Sequence, residues 1–266
     1  KNYSRVYGTF GLNGDAALKA FACALETGYR SFDTAQMYGN EAELGEAIET
    51  SGVPRAELCI TTKVEPGNMH EASFMPSVEE SLRKLRVDQV DLLLLHWPPP
   101  GGDVGPSLAL LADARKRGLA AHVGVSNYNV SMLQTAAVSA AAPIDVNQVE
   151  FHPLLDQSKL LAGSRALGIP LAAYCSVARG EIFKHAVLAE IGERHGKSAA
   201  QVALRWILQQ GVIVITKAAS PANIKANYAI DDFELTAEEM EAVTALTATG
   251  YRIVNSDVVS WAPEFD

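Results

Sequence analysis

Asp33, Tyr38, Lys63 and His96 are the side chains of this 266-residue sequence whose types and placement carry chemistry. Asp33 ends the run SFD, Lys63 ends CITTK, His96 follows DLLLL and precedes Trp97-Pro98, and Tyr38 lies shortly beyond Asp33. An ammonium and a carboxylate beside a phenol tune a proton transfer. Tyrosine titrates at about pKa 10 in water, and an adjacent cation is expected to lower it toward the working range. Such a tyrosine gives its proton to a carbonyl oxygen as a hydride reaches the carbon, while a neutral histidine N–H holds that oxygen. Ser126 and Asn127 close HVGVSN, Gln148 interrupts VNQVE, and Tyr174 closes IPLAAY, so polar groups recur at the ends of apolar runs. Singly, each has an ordinary reading: a helix cap for Asp33, a solvated exit for Lys63, a rim histidine for His96, a loop anchor for Tyr38. Jointly those readings weaken, because a partly buried Asp33 and Lys63 are costly unless paired.

Residues this far apart meet only if the fold brings strand ends together. Short β-rich runs recur at 6–9, 30–34, 58–62, 90–95, 121–125, 144–149, 169–174 and 212–216, and most are nearly continuous apolar stretches, as strands covered on both faces require. Between them lie helical segments at 15–27 (with Asp15 as a cap), 41–49, 77–85, 107–117, 130–140, 156–167 and 198–209, with 222–228 and 237–246 after the last strand. Eight strands alternating with helices predict an α/β fold, a (β/α)8 TIM barrel, with residues 1–266 as a single domain. Strand C-terminal ends then converge on one mouth. An open doubly wound sheet would want a glycine-rich turn, but Gly8, Gly11 and Gly14 are spaced by threes and do not form GxGxxG.

Composition narrows the function. Charged residues make up 20% against 48% hydrophobic, which excludes a disordered chain, and the formal net charge of −9 argues against nucleic acid as a partner. Val90–Leu95, the densest apolar run, is too short to span a bilayer, and no leader-like segment opens the sequence, so a cytoplasmic protein without membrane contact is expected. Cys23, Cys59 and Cys175 are odd in number and read as small buried hydrophobes. No HxxxH or CxxC occurs, the six histidines are scattered, and GxSxG is absent, which leaves metal and serine-nucleophile chemistry without a motif.

The strings GYRSFDTAQMYGNEAELGEAI, ITTK, VDLLLLHWP, HVGVSNYN and VNQVEFHPLL, in this order, give the chain a resemblance to the aldo-keto reductases over essentially its full length. Within that family it is similar to the short bacterial 2,5-diketo-D-gluconate and methylglyoxal reductases, by SGVPRAELCITTK, the short WPPPGGDVGP loop and the ending IVNSDVVSWAPEFD. The resemblance implies a monomeric barrel that binds NADPH and reduces a small carbonyl substrate. It implies Tyr38 as general acid, Lys63 and Asp33 as its tuning pair, and His96 as the group orienting the substrate. Ser126, Asn127 and Gln148 would hold the nicotinamide carboxamide, with Tyr174 stacked on the ring. Residues 175–180, including Arg179, would pass the pyrophosphate, and residues 1–5 stand where the family carries a hairpin under the barrel.

Two departures stand out. After the last strand the family's IPKS and its following arginine are replaced by Ile215-Thr216-Lys217-Ala218 and Asn223. Lys217 remains as the partner of the 2′-phosphate, with Lys225 as a second candidate charge, and Asn227 as the partner of adenine, but Asn223 supplies no guanidinium fork. Two positions after Lys63, where the family often carries an aromatic ring, stands Glu65, which disfavours anionic substrates if it points inward. Trp97, Phe151, His152 and Trp261 are the remaining expected pocket wall. Two readings besides a carbonyl reductase stay open: a Schiff-base aldolase using Lys63, and a nicotinamide-binding regulatory module with little turnover.

Overall fold

The computed structural model describes residues 4–99, 101–139 and 141–266. Residues 1–3, Pro100 and Ala140 lie outside the described residues, and with them most of the expected cover at residues 1–5, one residue of the WPPPGGDVGP loop and the end of the helix expected at 130–140.

Eight strands, β1 (Arg5–Gly8), β2 (Ser31–Asp33), β3 (Cys59–Val64), β4 (Val90–Leu95), β5 (Ala120–Ser126), β6 (Asn147–Glu150), β7 (Leu171–Tyr174) and β8 (Ile213–Thr216), pair in parallel and in sequence order. β1 returns to β8, with Val6 opposite Ile215, and closes the barrel. Around it run α1 (Gly14–Thr27), α2 (Glu41–Thr50), α3 (Glu71–Leu85), α4 (Gly105–Lys116), α5 (Val130–Ser139), α6 (Ser158–Ala166), α7 (Ala186–His195), α8 (Ala199–Gln209), α9 (Pro221–Tyr228) and α10 (Ala237–Thr244).

The apolar runs are continuous because each strand packs on two sides. Val6, Leu94, Val146, Ala172 and Ile215 form a small cluster inside the barrel, and the larger core fills the space between strands and helices. Among the described residues the interior is not filled to its base. A cavity of about 280 Å³ lies beneath Asp33 and Gln148, walled by residues such as Val6, Val146, Ala172 and Ile215. Gly45 lets α2 approach α3, since a Cβ there would sit 2.4 Å from the Lys84 carbonyl oxygen.

Several boundaries differ from the sequence reading. The third large helix starts at Glu71, not 77, and carries Pro76 inside it; the missing N–H costs one bond without ending the helix. The helix Ala186–His195 was not expected at all. Asp15 is no cap: Asn13 precedes α1 without a side-chain cap bond, and Asp15 lies in the first turn, where its charge suits the positive helix end. Among the described residues no helix is long and apolar enough to cross a membrane.

Candidate functional site

Parallel pairing sets the charged centre. Gly8 lies opposite Asp33, and Asp33 opposite Thr61, so Lys63 emerges one inward step above the aspartate on the neighbouring strand. Lys63 is 0% exposed, and its Nζ donates to Asp33 Oδ1 at 2.5 Å, the Thr34 carbonyl at 2.8 Å and Tyr38 Oη at 3.3 Å. Three protons meet three acceptors, which is what a buried ammonium needs. Burial pulls its pKa below the ordinary lysine range, and the Asp33 carboxylate opposes that pull. The other carboxylate oxygen, Asp33 Oδ2, accepts from Gln148 Nε2 at 2.7 Å.

Tyr38 closes a single 3-10 turn, Gln36–Tyr38, and Gly39 follows at φ 69°, a left-handed conformation that glycine takes without strain. The turn is held on both sides by residues that the sequence reading did not single out. Gln36 accepts at Oε1 from the Glu65 N–H and Asn68 Nδ2, and donates from Nε2 to Ser77 and Ser81. Asn40, fully buried, donates to the Thr9 and Leu12 carbonyls and accepts from the Thr9 and Thr34 hydroxyls. Their sequence signal was the string AQMYGN itself, in which a glutamine and an asparagine flank the tyrosine. Phe10, 59% exposed in the loop after β1, sets its ring edge-on to Tyr38 with centroids 5.1 Å apart; it too was missed.

The expected lowering of the Tyr38 pKa is corrected. Burial and the Asp33 charge hold this phenol well above its ordinary range. The larger cause is burial, which strips water from the phenolate, and the negative charge of Asp33 adds to it. Tyr38 therefore stays protonated and has a proton to give.

His96 follows β4, nearly buried, with its ring edge-on to Tyr38 at 5.5 Å. Burial and the Lys63 ammonium hold its pKa well below the ordinary imidazole range, so the ring is neutral. Among the described residues its buried Nδ1 has no hydrogen-bond partner. Leaving that nitrogen as a bare acceptor costs less than stranding a donor there, which puts the proton on Nε2.

Ser126, Asn127, Gln148 and Tyr174 form one connected set. Ser126 Oγ donates to the Gln148 carbonyl at 2.7 Å, Asn127 Nδ2 donates to the His96 carbonyl at 3.0 Å, and Tyr174 Oη donates to Asn127 Oδ1 at 2.7 Å. Asn127 reaches these partners from φ 64°, a left-handed conformation that asparagine tolerates better than most residues. Amide donors and acceptors beside a half-buried aromatic ring are groups that suit a planar, amide-bearing heterocycle. Beyond β7, Cys175, Ala178 and Arg179 all have positive φ, and the Arg179 side chain is exposed. Beyond β8, Lys217 is exposed, while Ala218 is buried and its carbonyl accepts from Tyr7 Oη. Asn223 is exposed in the first turn of α9, where its N–H is capped by Ser220 Oγ, and Asn227 is buried later in that helix. Lys225 is exposed on the same helix.

The expected pocket wall is partly redrawn. Trp97 stacks beside His96 at 6.5 Å and is nearly buried. Phe151 and His152 lie behind the wall, since neither has surface to offer a ligand. Phe151 packs against Trp206 of α8, and His152 Nε2 pairs with Glu150 Oε1 at 2.9 Å. Glu150, itself buried, also accepts the Ile253 and Val254 N–H groups at 2.7 and 2.8 Å, tying the C-terminal segment to β6. Trp261 is 41% exposed in that segment. Glu65 is half-buried and accepts from Asn68 Nδ2 at 3.1 Å. The cysteines form no disulfide among the described residues; Cys59 is buried, while Cys23 and Cys175 are half-buried rather than buried as expected.

Comparison with known proteins gives a consistent result. The model of the Aldo/keto reductase family matches residues 6–248. The chain is 39% identical over 262 residues to the methylglyoxal reductase DkgB of Escherichia coli O157:H7, covering 97% of both chains. A crystal structure of a protein provisionally assigned as 2,5-diketo-D-gluconic acid reductase B superposes with a TM-score of 0.95 at 49% identity, covering 99% of this chain and 93% of that one. The aldose reductase of Schistosoma japonicum superposes with a TM-score of 0.91 at 28% identity, covering 98% and 94%.

Proposed function

The chain belongs to the aldo/keto reductase family and is an oxidoreductase, and from that premise we propose that it uses NADPH to reduce small aldehydes or ketones, of the methylglyoxal or 2,5-diketo-D-gluconate type, to alcohols. The observation that carries this reading is the fully buried Lys63, whose three N–H bonds go to Asp33, Thr34 and the Tyr38 hydroxyl oxygen. A lysine so engaged is an ammonium with no lone pair to attack a carbonyl, which opposes a Schiff-base aldolase.

When bound, the nicotinamide supplies a hydride to the carbonyl carbon. Tyr38 gives its proton to the carbonyl oxygen. Lys63, donating to the Tyr38 oxygen, stabilises the negative charge left there, and Asp33 keeps Lys63 charged and in place. His96 holds the same carbonyl oxygen through Nε2–H and orients it toward Tyr38. Ser126, Asn127 and Gln148 hold the carboxamide and Tyr174 supports the ring. Lys217 pairs with the 2′-phosphate, Asn227 with adenine, and Arg179 lies on the segment that passes the pyrophosphate. Asn223 stands near the 2′-phosphate without a charge of its own. The whole chain is read as a single cytoplasmic, monomeric barrel, with no nucleic acid or membrane partner; its net charge of −9 supports the lack of a nucleic-acid partner, and cysteines that form no disulfide among the described residues support the compartment.

Tyr38→Phe tests the reading. Removing the hydroxyl should slow hydride transfer, followed by stopped-flow NADPH absorbance with methylglyoxal, by about 10²–10⁴-fold. The cofactor Kd should stay within about threefold, because only the reacting hydroxyl is lost. A hydride-transfer rate within about threefold of the parent would remove Tyr38 as the acid.

A further inference from the structure

Glu65 lies just beyond the end of β3, and the alternation of that strand decides which way it faces. Lys63 points into the barrel, and Val64 is buried on the helix side. Glu65 continues the extended backbone at φ −72°, ψ 156°, so its side chain returns to the side of Lys63, one step further toward the open mouth. Its N–H donates to Gln36 Oε1 at 3.0 Å, and Gln36 opens the turn that ends at Tyr38. Glu65 is thereby fastened to the element that presents the phenol.

The charge of this carboxylate is uncompensated. Its polar partner is the neutral amide of Asn68. Among the described residues no cation lies within 4 Å of it, whereas the nearby Lys63 ammonium is taken up by Asp33. The surface of the protein, at a net charge of −9, adds no general attraction for anions.

We infer that Glu65 selects the charge class of the substrate: the mouth accepts neutral and positively charged small carbonyl compounds and rejects those bearing a carboxylate. This rests on the carbonyl-reductase reading, and of the two substrate types named there it favours methylglyoxal over the sugar acid. One unit charge at about 7 Å, at an effective dielectric constant of about 20–40, changes affinity for a charged ligand by about 10- to 50-fold.

The test compares kcat/KM with NADPH at low ionic strength for betaine aldehyde, methylglyoxal and succinic semialdehyde, in the parent, Glu65→Gln and Glu65→Lys. The readout is the ratio of the cationic to the anionic substrate, in which intrinsic reactivity cancels between parent and variant. Because the charge attracts one substrate and repels the other, that ratio should fall by about 100- to 2,500-fold in Glu65→Gln and further in Glu65→Lys, and the difference should shrink as salt rises. A ratio within about threefold of the parent in both variants overturns the inference, as does an equal loss for all three substrates, which marks a purely structural role. Failure of the parent to oxidise NADPH with any of the three overturns the reductase reading itself.

Discussion

Asp33→Asn isolates the energetics of the buried centre. The substitution keeps the shape of the side chain but removes the charge opposite Lys63, which is 0% exposed and has its shortest contact, 2.5 Å, to that carboxylate. The Thr34 carbonyl and the Tyr38 oxygen remain as acceptors, but neither carries a charge. Breaking a buried ion pair from one side costs about 3–5 kcal/mol, because the surviving charge stays desolvated. At about 2–4 °C per kcal/mol for a chain of this size, the melting temperature should drop by about 6–20 °C. The sign of the pH dependence follows from Lys63. Burial lowers its folded pKa, and without Asp33 nothing of opposite charge at that contact resists the shift. Between that lowered value and the unfolded lysine value of about 10.5 the unfolded chain binds more protons, so the stability of the variant must rise with pH across that window. Urea unfolding followed by circular dichroism at pH 6, 7, 8 and 9 measures both effects. Adding Lys63→Met to the same chain should recover most of the loss, since an apolar replacement of the pair leaves no stranded charge. An Asp33→Asn protein within about 1 kcal/mol of the parent at pH 7, with stability flat from pH 6 to 9, would refute the reasoning.

Two further outcomes are expected. His96 is held neutral, so the native state resists a proton that the unfolded chain takes up near pH 6.5; stability should fall as pH drops below about 6.5, and His96→Gln should make the parent-to-variant difference shrink between pH 7 and 5 in urea titrations. An unchanged difference would mean that the ring takes up its proton as readily in the fold as in the unfolded chain. For the cofactor, NADPH should bind about 5–150-fold more tightly than NADH; Lys217→Ala should narrow that gap and Asn223→Arg should widen it, as read by quenching of protein fluorescence at fixed ionic strength. Equal affinities for the two nucleotides, unchanged by Lys217→Ala, would end the 2′-phosphate assignment.

The barrel was legible because burial on both faces leaves its mark on each strand. Runs such as Val90–Leu95 contain almost nothing polar until the position where the strand reaches the mouth. The same logic exposed Asp33, Lys63 and His96, each a polar residue ending an apolar run. What stayed hidden depends on contacts between distant segments. Gln36 and Asn40 look like ordinary loop amides until their partners, Thr9, Leu12, Ser77 and Ser81, are in place. Phe151 and His152 sit beside the mouth in sequence, but their burial was set by Trp206 and Glu150. The tyrosine pKa went the other way because the sequence gives the sign of a neighbouring cation but not the depth of burial, which outweighs it here. Pro76 hid the start of α3, since proline ends more helices than it begins within.

The Glu150 tether bears on what holds the C-terminal segment in place. Its carboxylate takes up N–H groups 103 and 104 positions away, and the same C-terminal segment is fastened at its far end by Asp266 to Lys159 and to the Val130 N–H. Closing so long a loop carries an entropy cost that the contacts to a formed β6 offset, so the segment is held by the barrel rather than by its own local structure. Trp261 lies in that stretch and is exposed, whereas Trp97 and Trp206 are buried in the body of the protein. The chain therefore carries separate optical markers for two parts of the molecule: two tryptophans that report on the body of the barrel, and a third that reports on the seating of its C-terminal segment.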